Sequence, residues 1–300
     1  MITRRGMLKL FGGMVAAGFA SGAYAVGIEP MLRLRVAEYS LKPAGWPEGQ
    51  KLRIVALADI HACQPWMSAG RITSICVRAN DLGGDIIVLL GDYLSSMPTA
   101  FGPVEPAAWA GALAILKAPL GVHAILGNHD WWDDPAAQAA GGGDTFSHRA
   151  LRAAGIQVYS NRAARIETRT GAFWLAGVED QLALRPGRRW NRSSYVGLDD
   201  LPGTLAQVGD DAPIVLLAHE PDIFPQVPAR VAVTLSGHTH GGQVRLFGYS
   251  PVVPSRYGNR YAYGHVVEEE RHLVVSGGLG CSIAPVRFGS PPEITIINLG

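Results

Sequence analysis

The chain has 300 residues, 48% hydrophobic and 17% charged, which suits a folded globular protein of one large domain or two small ones. A formal net charge of +1 offers no global field to attract a nucleic acid partner or an anionic surface. Its three cysteines, Cys63, Cys76 and Cys281, are odd in number and lack Cys-x-x-Cys spacing, which argues against a disulfide framework and against a thiolate zinc site.

Residues 1–25 read as a signal peptide. Arg4 and Arg5, followed by Gly6-Met7-Leu8-Lys9, precede an apolar stretch from Leu10 to Ala20, and Ala23-Tyr24-Ala25 offers a small-x-small cleavage site. The arginine pair and its flank resemble a twin-arginine (Tat) signal. That implies the Tat export machinery as a partner and a periplasmic or cell-envelope location. The alternatives are an ordinary Sec signal and an uncleaved membrane anchor, although the stretch is shorter than the about 20 apolar residues a spanning helix needs.

The remainder, 26–300, alternates short apolar runs with helical patterns, the mark of an α/β fold. Five runs have the length and Val/Ile content of buried strands: Ile54 to Ala58, Ile86 to Leu90, Val122 to Leu126, Ile214 to Ala218 and Val231 to Leu235. Between the first two, Ile72, Ile75, Cys76, Ala79 and Leu82 recur at helical spacing and predict an amphipathic crossover helix. Phe173 to Val178, His272 to Ser276 and Ile294 to Asn298 are further strand-like stretches. Asp199 or Asp200 stands where it would cap a helix beginning near Leu201.

Each of the five runs ends on metal-ligand chemistry. Asp59 and His61 follow the first and Gly91-Asp92 the second. Gly127-Asn128-His129-Asp130 follow the third, His219 the fourth, and Gly237-His238-Thr239-His240 the fifth. Ligands of open α/β sheets bind beyond the carboxyl ends of the strands, so these side chains are delivered to one edge. A single such ending is ordinary turn composition; five in succession are not. Asp59-x-His61 and His238-x-His240, if extended, would each present two side chains to one face. Imidazole, carboxylate and amide oxygen together suit Mn, Fe or Zn better than Ca or Mg.

These blocks, in this order, resemble the calcineurin-like metallophosphoesterase superfamily. The tail, with Gly237 to Arg245, Ser276 to Gly280, Pro285 to Phe288 and Pro291 to Ile294, is similar to a bacterial branch of exported or membrane-associated phosphoesterases. The resemblance implies one domain over 26–300, a four-layer α-β-β-α sandwich of two mixed sheets with a dinuclear metal site at the carboxyl ends of the strands. Carried over position by position, Asp59, His61, Asp92 and His240 would hold one divalent ion. Asp92, Asn128, His219 and His238 would hold a second, with Asp92 bridging. His129 would act on the phosphate and leaving group, and Asp130 would orient a neighbour. The implied reaction is hydrolysis of a phosphodiester, or a phosphomonoester, by a metal-bridged hydroxide. The substrate would be a small-molecule or lipid-linked phosphoester. The alternatives are a pyrophosphatase acting on a UDP-diacylglucosamine-type lipid, and a non-catalytic metal-binding interaction module.

Substrate contacts are sought in Trp131, Arg245 and Arg287, with bracing of a turn as the other reading of Arg287. Trp131-Trp132 would stack on a base, grip an acyl chain or pack their own loop. The basic stretch from Arg185 to Arg192 would be a solvated loop or a second phosphate contact.

Overall fold

A computed structural model of the chain describes residues 3–98, 100–187 and 194–300. The N-terminal helix α1, Arg4–Ala23, buries none of its side chains. Helical structure continues without a break to Leu32, past the expected processing point, and Ala25 is buried. The helical segment Arg4–Leu32 is long and apolar enough to cross a membrane, which the short apolar stretch in the sequence did not suggest.

The strands of the two large sheets are, in chain order, β1 Arg35–Leu41, β2 Leu52–Leu57, β3 Ile86–Leu90, β4 Val122–Ile125, β5 Gln157–Val158, β6 Arg162–Thr168, β7 Gly171–Gly177, β8 Ile214–Leu217, β9 Val231–Ser236, β10 Gly264–Glu268, β11 Arg271–Val275 and β12 Glu293–Leu299; Cys63–Gln64 and Gly102–Pro103 pair in a small separate sheet. They form two six-stranded sheets, ordered β1-β12-β2-β3-β4-β5 and β10-β11-β9-β8-β7-β6. Both are mixed. In the first, β2, β3 and β4 are parallel and β12 runs antiparallel to β2. In the second, β7, β8, β9 and β11 are parallel, flanked by the antiparallel edges β10 and β6.

Side-chain alternation explains why the central strands read as unbroken apolar runs: both faces of each sheet are covered. Ile54, Ala56, Ile86, Val88 and Leu90 meet Phe173, Leu175, Val215, Leu217, Val233 and Leu235 in the core between the sheets. On the other face of the first sheet, Val55, Leu57, Ile87 and Leu89 pack against helices α2 Ala69–Asp81, α3 Pro106–Leu113 and α4 Phe146–Ala153. The apolar stripe of α2 is the one read from spacing, with Ile72, Ile75, Cys76 and Ala79 buried, and Ser68 accepts from Arg71 N as its N-cap. The outer layer on the second sheet is thinner. It consists of short turns of helix at Leu201–Leu205, Pro221–Gln226 and Gly258–Tyr261, which supply Leu201, Ile223, Phe224 and Tyr261. Asp200, not Asp199, caps the first of these. The four layers are therefore present as expected.

Candidate metal centre

All five strand endings converge at the carboxyl edge where the two sheets meet. Backbone pairing continues past the strands: Asp59 N donates to Gly91 O, His61 N to Asp92 O and Gly237 N to His219 O. The convergence does not come from extended alternation. Asp59, His61, Asp92, His238 and His240 all have positive φ, between 45° and 68°. That region is costly for residues with a Cβ, and five examples at one edge mark backbone held in place by its surroundings. The two x-spaced pairs thus reach the site through left-handed turns, which corrects the expectation of an extended segment.

Two groups of ligand atoms lie side by side. In the first, the His61 and His240 rings stack at 4.9 Å, their Nε2 atoms are 3.1 Å apart, and His240 Nε2 is 3.6 Å from Asp59 Oδ1. In the second, Asn128 Oδ1 and His238 Nδ1 are 2.9 Å apart. Asp92 Oδ2 stands between the groups, 3.4 Å from His61 Nε2 and 3.3 Å from His219 Nε2. Outer contacts fix the ring orientations: His61 Nδ1 lies 2.9 Å from Leu94 O and His219 Nδ1 lies 2.6 Å from Leu90 O. Each ring then donates through Nδ1 and turns the Nε2 lone pair inward, the usual support for a metal-binding imidazole. Asp59 Oδ2 and His219 Nε2 are buried without a hydrogen-bond partner. Two unpartnered ligand atoms among close imidazole nitrogens fit a cation site. The donor set fits divalent ions.

Electrostatics agree. Burial drives His61 down to about 3, and lowers His238 and His240, so these rings are neutral and their lone pairs free. Burial lifts the Asp59 carboxyl to about 7, with Asp92 adding to the rise. His219 is raised well above its ordinary value because Asp92 outweighs the opposing effect of burial. The buried carboxylates call for positive charge, which a divalent ion held by these residues would supply.

His129 stands beside the first group, its ring 4.8 Å from that of His61 and its ligand atom near those of His61 and Asp92. Its backbone N donates to Asp92 Oδ1 at 2.8 Å. Nδ1 lies 3.3 Å from Ser96 Oγ and 3.5 Å from Asp133 Oδ2, and Nε2 lies 3.2 Å from Ser282 Oγ. Burial opposes its charge, but Asp92 and Asp133 outweigh burial and raise the imidazole above its ordinary value. Asp130 accepts from the backbone N–H groups of Asp92, Tyr93 and Gly127 and from Ser147 Oγ, and so orients the loop carrying Asp92.

A cavity of about 570 Å³ opens over the site. Asp92, Asn128, His129, His238 and His240 form its floor, while Val244, Val252, Pro254, Ile283, Ala284 and Val286 make an apolar wall. None of the three side chains sought as substrate contacts lines it. Trp131 is buried and its Nε1 donates to Glu179. Arg245 lies over the Tyr263 ring at 5.3 Å. Arg287 is wholly buried; it donates to the carbonyls of Gly277, Gly280 and Ser290 and lies 3.1 Å from His240 Nδ1. These corrections share one cause: each polar group is already committed to closing a loop, the bracing role that was the other reading of Arg287.

The cavity instead presents Trp132 and Arg185, stacked with 4.9 Å from guanidinium to ring. Arg188, Arg189 and Arg192 of the same basic stretch lie outside the described residues. Ser96, Ser282, Asp133 and Glu220 also border the site; Asp133 Oδ2 is 3.5 Å from His129 Nδ1 and Glu220 Oε1 is 4.0 Å from His238 Nδ1. Only the His-Glu adjacency at 219–220 could have pointed to one of them. His123, His148, His265 and His272 lie elsewhere, bonded to Leu120 O and Tyr159, to Ser160, and to each other.

Residues 52–242 match the calcineurin-like phosphoesterase family. An uncharacterized metallophosphoesterase of Bacillus subtilis (strain 168), YkuE, is 30% identical over 306 residues, covering 99% of this chain and 98% of the relative. The phosphodiesterase YaeI of Escherichia coli (strain K12) is 29% identical, with both chains covered in full. The UDP-2,3-diacylglucosamine pyrophosphatase LpxG of Chlamydia trachomatis serovar D is 26% identical, covering 95% of this chain and 94% of the relative.

Proposed function

The chain belongs to the calcineurin-like phosphoesterase family and is a metal-dependent phosphoric ester hydrolase; from that premise we propose that it is a dinuclear phosphodiesterase of the cell envelope. In this reading Asp59, His61, Asp92 and His240 hold one divalent ion and Asp92, Asn128, His219 and His238 the other. The observation that carries it is the Asp92 carboxylate, which stands 3.4 and 3.3 Å from imidazoles of the two groups. Manganese, iron or zinc suits this donor set.

Bound ions supply Lewis-acid polarisation of the phosphoryl group and acidify water for attack. The chain's own residues do the rest. His129 holds a proton at Nε2, facing the cavity, while Asp133 and Ser96 steady the ring through Nδ1. As an imidazolium, His129 would donate that proton to the departing oxygen. Arg185, at the cavity rim, attracts the anionic ester. The apolar wall excludes water and strengthens each of these interactions.

Hydrolysis of a nucleotide-linked lipid pyrophosphate is the second reading, favoured by the apolar wall and by the likeness to LpxG. Export through the Tat machinery, motivated by Arg4-Arg5 at the start of α1, would place either activity in the periplasm or at the membrane. The test is hydrolysis of bis-p-nitrophenyl phosphate and p-nitrophenyl phosphate by the purified chain with manganese. Turnover that needs metal and falls at least about 100-fold in Asn128→Ala and His129→Ala supports the proposal. Wild-type rates and metal content in both variants refute the residue assignment.

A further inference from the structure

We propose that the mouth of the cavity is a membrane-docking surface, seated on the bilayer by α1 and an apolar rim, through which a phosphoester lipid reaches the site. The substrate half of this proposal rests on the phosphoesterase reading; the docking half does not.

The base of α1 is fastened to the loop that walls the cavity. Arg287 N donates to Ala25 O at 2.8 Å, one residue beyond the lining residue Val286. The Tyr24 ring meets Phe288 edge-on at 6.0 Å. On the other side, Trp66 Nε1 donates to Val26 O, and the Trp66 ring lies 6.0 Å from Phe101. The membrane-length helix therefore leaves the domain at the edge of the mouth, between Tyr24 and Trp66, residues of the kind that settle at bilayer interfaces. Along the helix, Leu8, Phe11, Met14 and Phe19 are all more than half exposed, and nothing in the domain covers them.

Apolar side chains continue from that base around the opening. Ile283 is 81% and Val252 76% exposed, and both line the cavity. Phe101 projects at 84%. Phe247 is the most informative. It sits at the tip of a tight turn closed by Leu246 and Tyr249, at φ 50°, fully exposed. That position favours Gly or Asn on backbone grounds and a polar residue on solvation grounds. The base of the turn is tied to the helix-bearing loop, since Arg245 N donates to Phe288 O. A lipid surface accommodates an aromatic tip, a ring of exposed apolar groups and an uncovered helix together, and the wall of Val244, Val286 and Ala284 continues the apolar path toward the floor of Asp92 and His129.

The test uses the full chain reconstituted into vesicles of phosphatidylethanolamine and phosphatidylglycerol. Cys63, Cys76 and Cys281 are buried, so F247C can be labelled selectively with an environment-sensitive dye. A blue-shifted emission quenched by spin-labelled lipid is expected for F247C. T170C, in the β6–β7 turn at the opposite edge of the second sheet, should stay water-like. Water-like emission from F247C overturns the docking, whatever the enzyme's activity. For the lipid route, vesicles of phosphatidylglycerol should inhibit hydrolysis of soluble bis-p-nitrophenyl phosphate at least fivefold, and vesicles of the phosphate-free lipid digalactosyldiacylglycerol should not. The variant F101S/F247N/Y249S should lose that inhibition while keeping the uninhibited rate. Equal rates with both lipids overturn the lipid route and leave the phosphoesterase reading intact.

Discussion

A Cβ built on Gly127 would fall 2.4 Å from Asp92 Oδ1 and 2.6 Å from the His219 ring, although the backbone there is ordinary for any residue. Space, not conformational freedom, requires glycine at this point. Gly237 is similar, with a Cβ 2.7 Å from Asp59 Oδ2. Gly127→Ala is therefore expected to push the Asp92 carboxylate out of place. Metal affinity should fall about 10–100-fold, read by titration with manganese, while the melting temperature changes by only a few degrees. Unchanged affinity would show that Asp92 is not a ligand. The same close packing explains why residues that looked free for substrate are not. Arg287 has no exposed surface, and its guanidinium spans three carbonyls of the 277–290 segment.

Elements position the site through their ends. Parallel β2, β3 and β4 in one sheet and β8 and β9 in the other bring five turns to a single edge. The segment after α1 acts on that edge from outside. Glu29 is buried, and its carboxylate accepts from Gly289 N and Ser290 N, while Ser290 Oγ donates to His240 O. Replacing Glu29 with Ala leaves the buried Ser290 amide unpaired, at a cost of about 1–3 kcal/mol, while the exposed Gly289 amide can turn to water. The expected result for Glu29→Ala is a lower denaturation midpoint in urea together with weaker metal binding. A lower midpoint with wild-type metal affinity would separate this segment from the site.

At the scale of the whole molecule, the site is also a fault in the core: two sheets pack tightly through Ile54, Val88, Leu217 and Leu235, then part around uncompensated carboxylates and imidazoles. Ions that bind only the folded state stabilise it by linkage, by about 2.7 kcal/mol at a hundred times Kd. Stripping metal with a chelator should lower the melting temperature by roughly 5–10 °C, and adding manganese should restore it. A melting temperature indifferent to the chelator would count against any structural role for bound metal.

The period and ending of each apolar run were enough, by themselves, to locate β2, β3, β4, β8 and β9, the stripe of α2, and the ligand types that follow the strands. Strand burial and helix amphipathicity are local properties, written in neighbouring residues. The family resemblance extended this reading to two mixed sheets and to one set of residues. What those signals do not contain is long-range. The left-handed turns at Asp59, His61, Asp92, His238 and His240 are held by hydrogen bonds from other strands, so local alternation pointed to the wrong geometry. The commitment of Trp131 and Arg287 to loop closure, the placing of Trp132, Arg185 and Ser282 at the cavity, and the seating of residues 24–29 against 287–290 each join segments far apart in the chain. Only tertiary packing decides which of two chemically similar side chains spends its polar group inside the fold and which is left to meet a substrate.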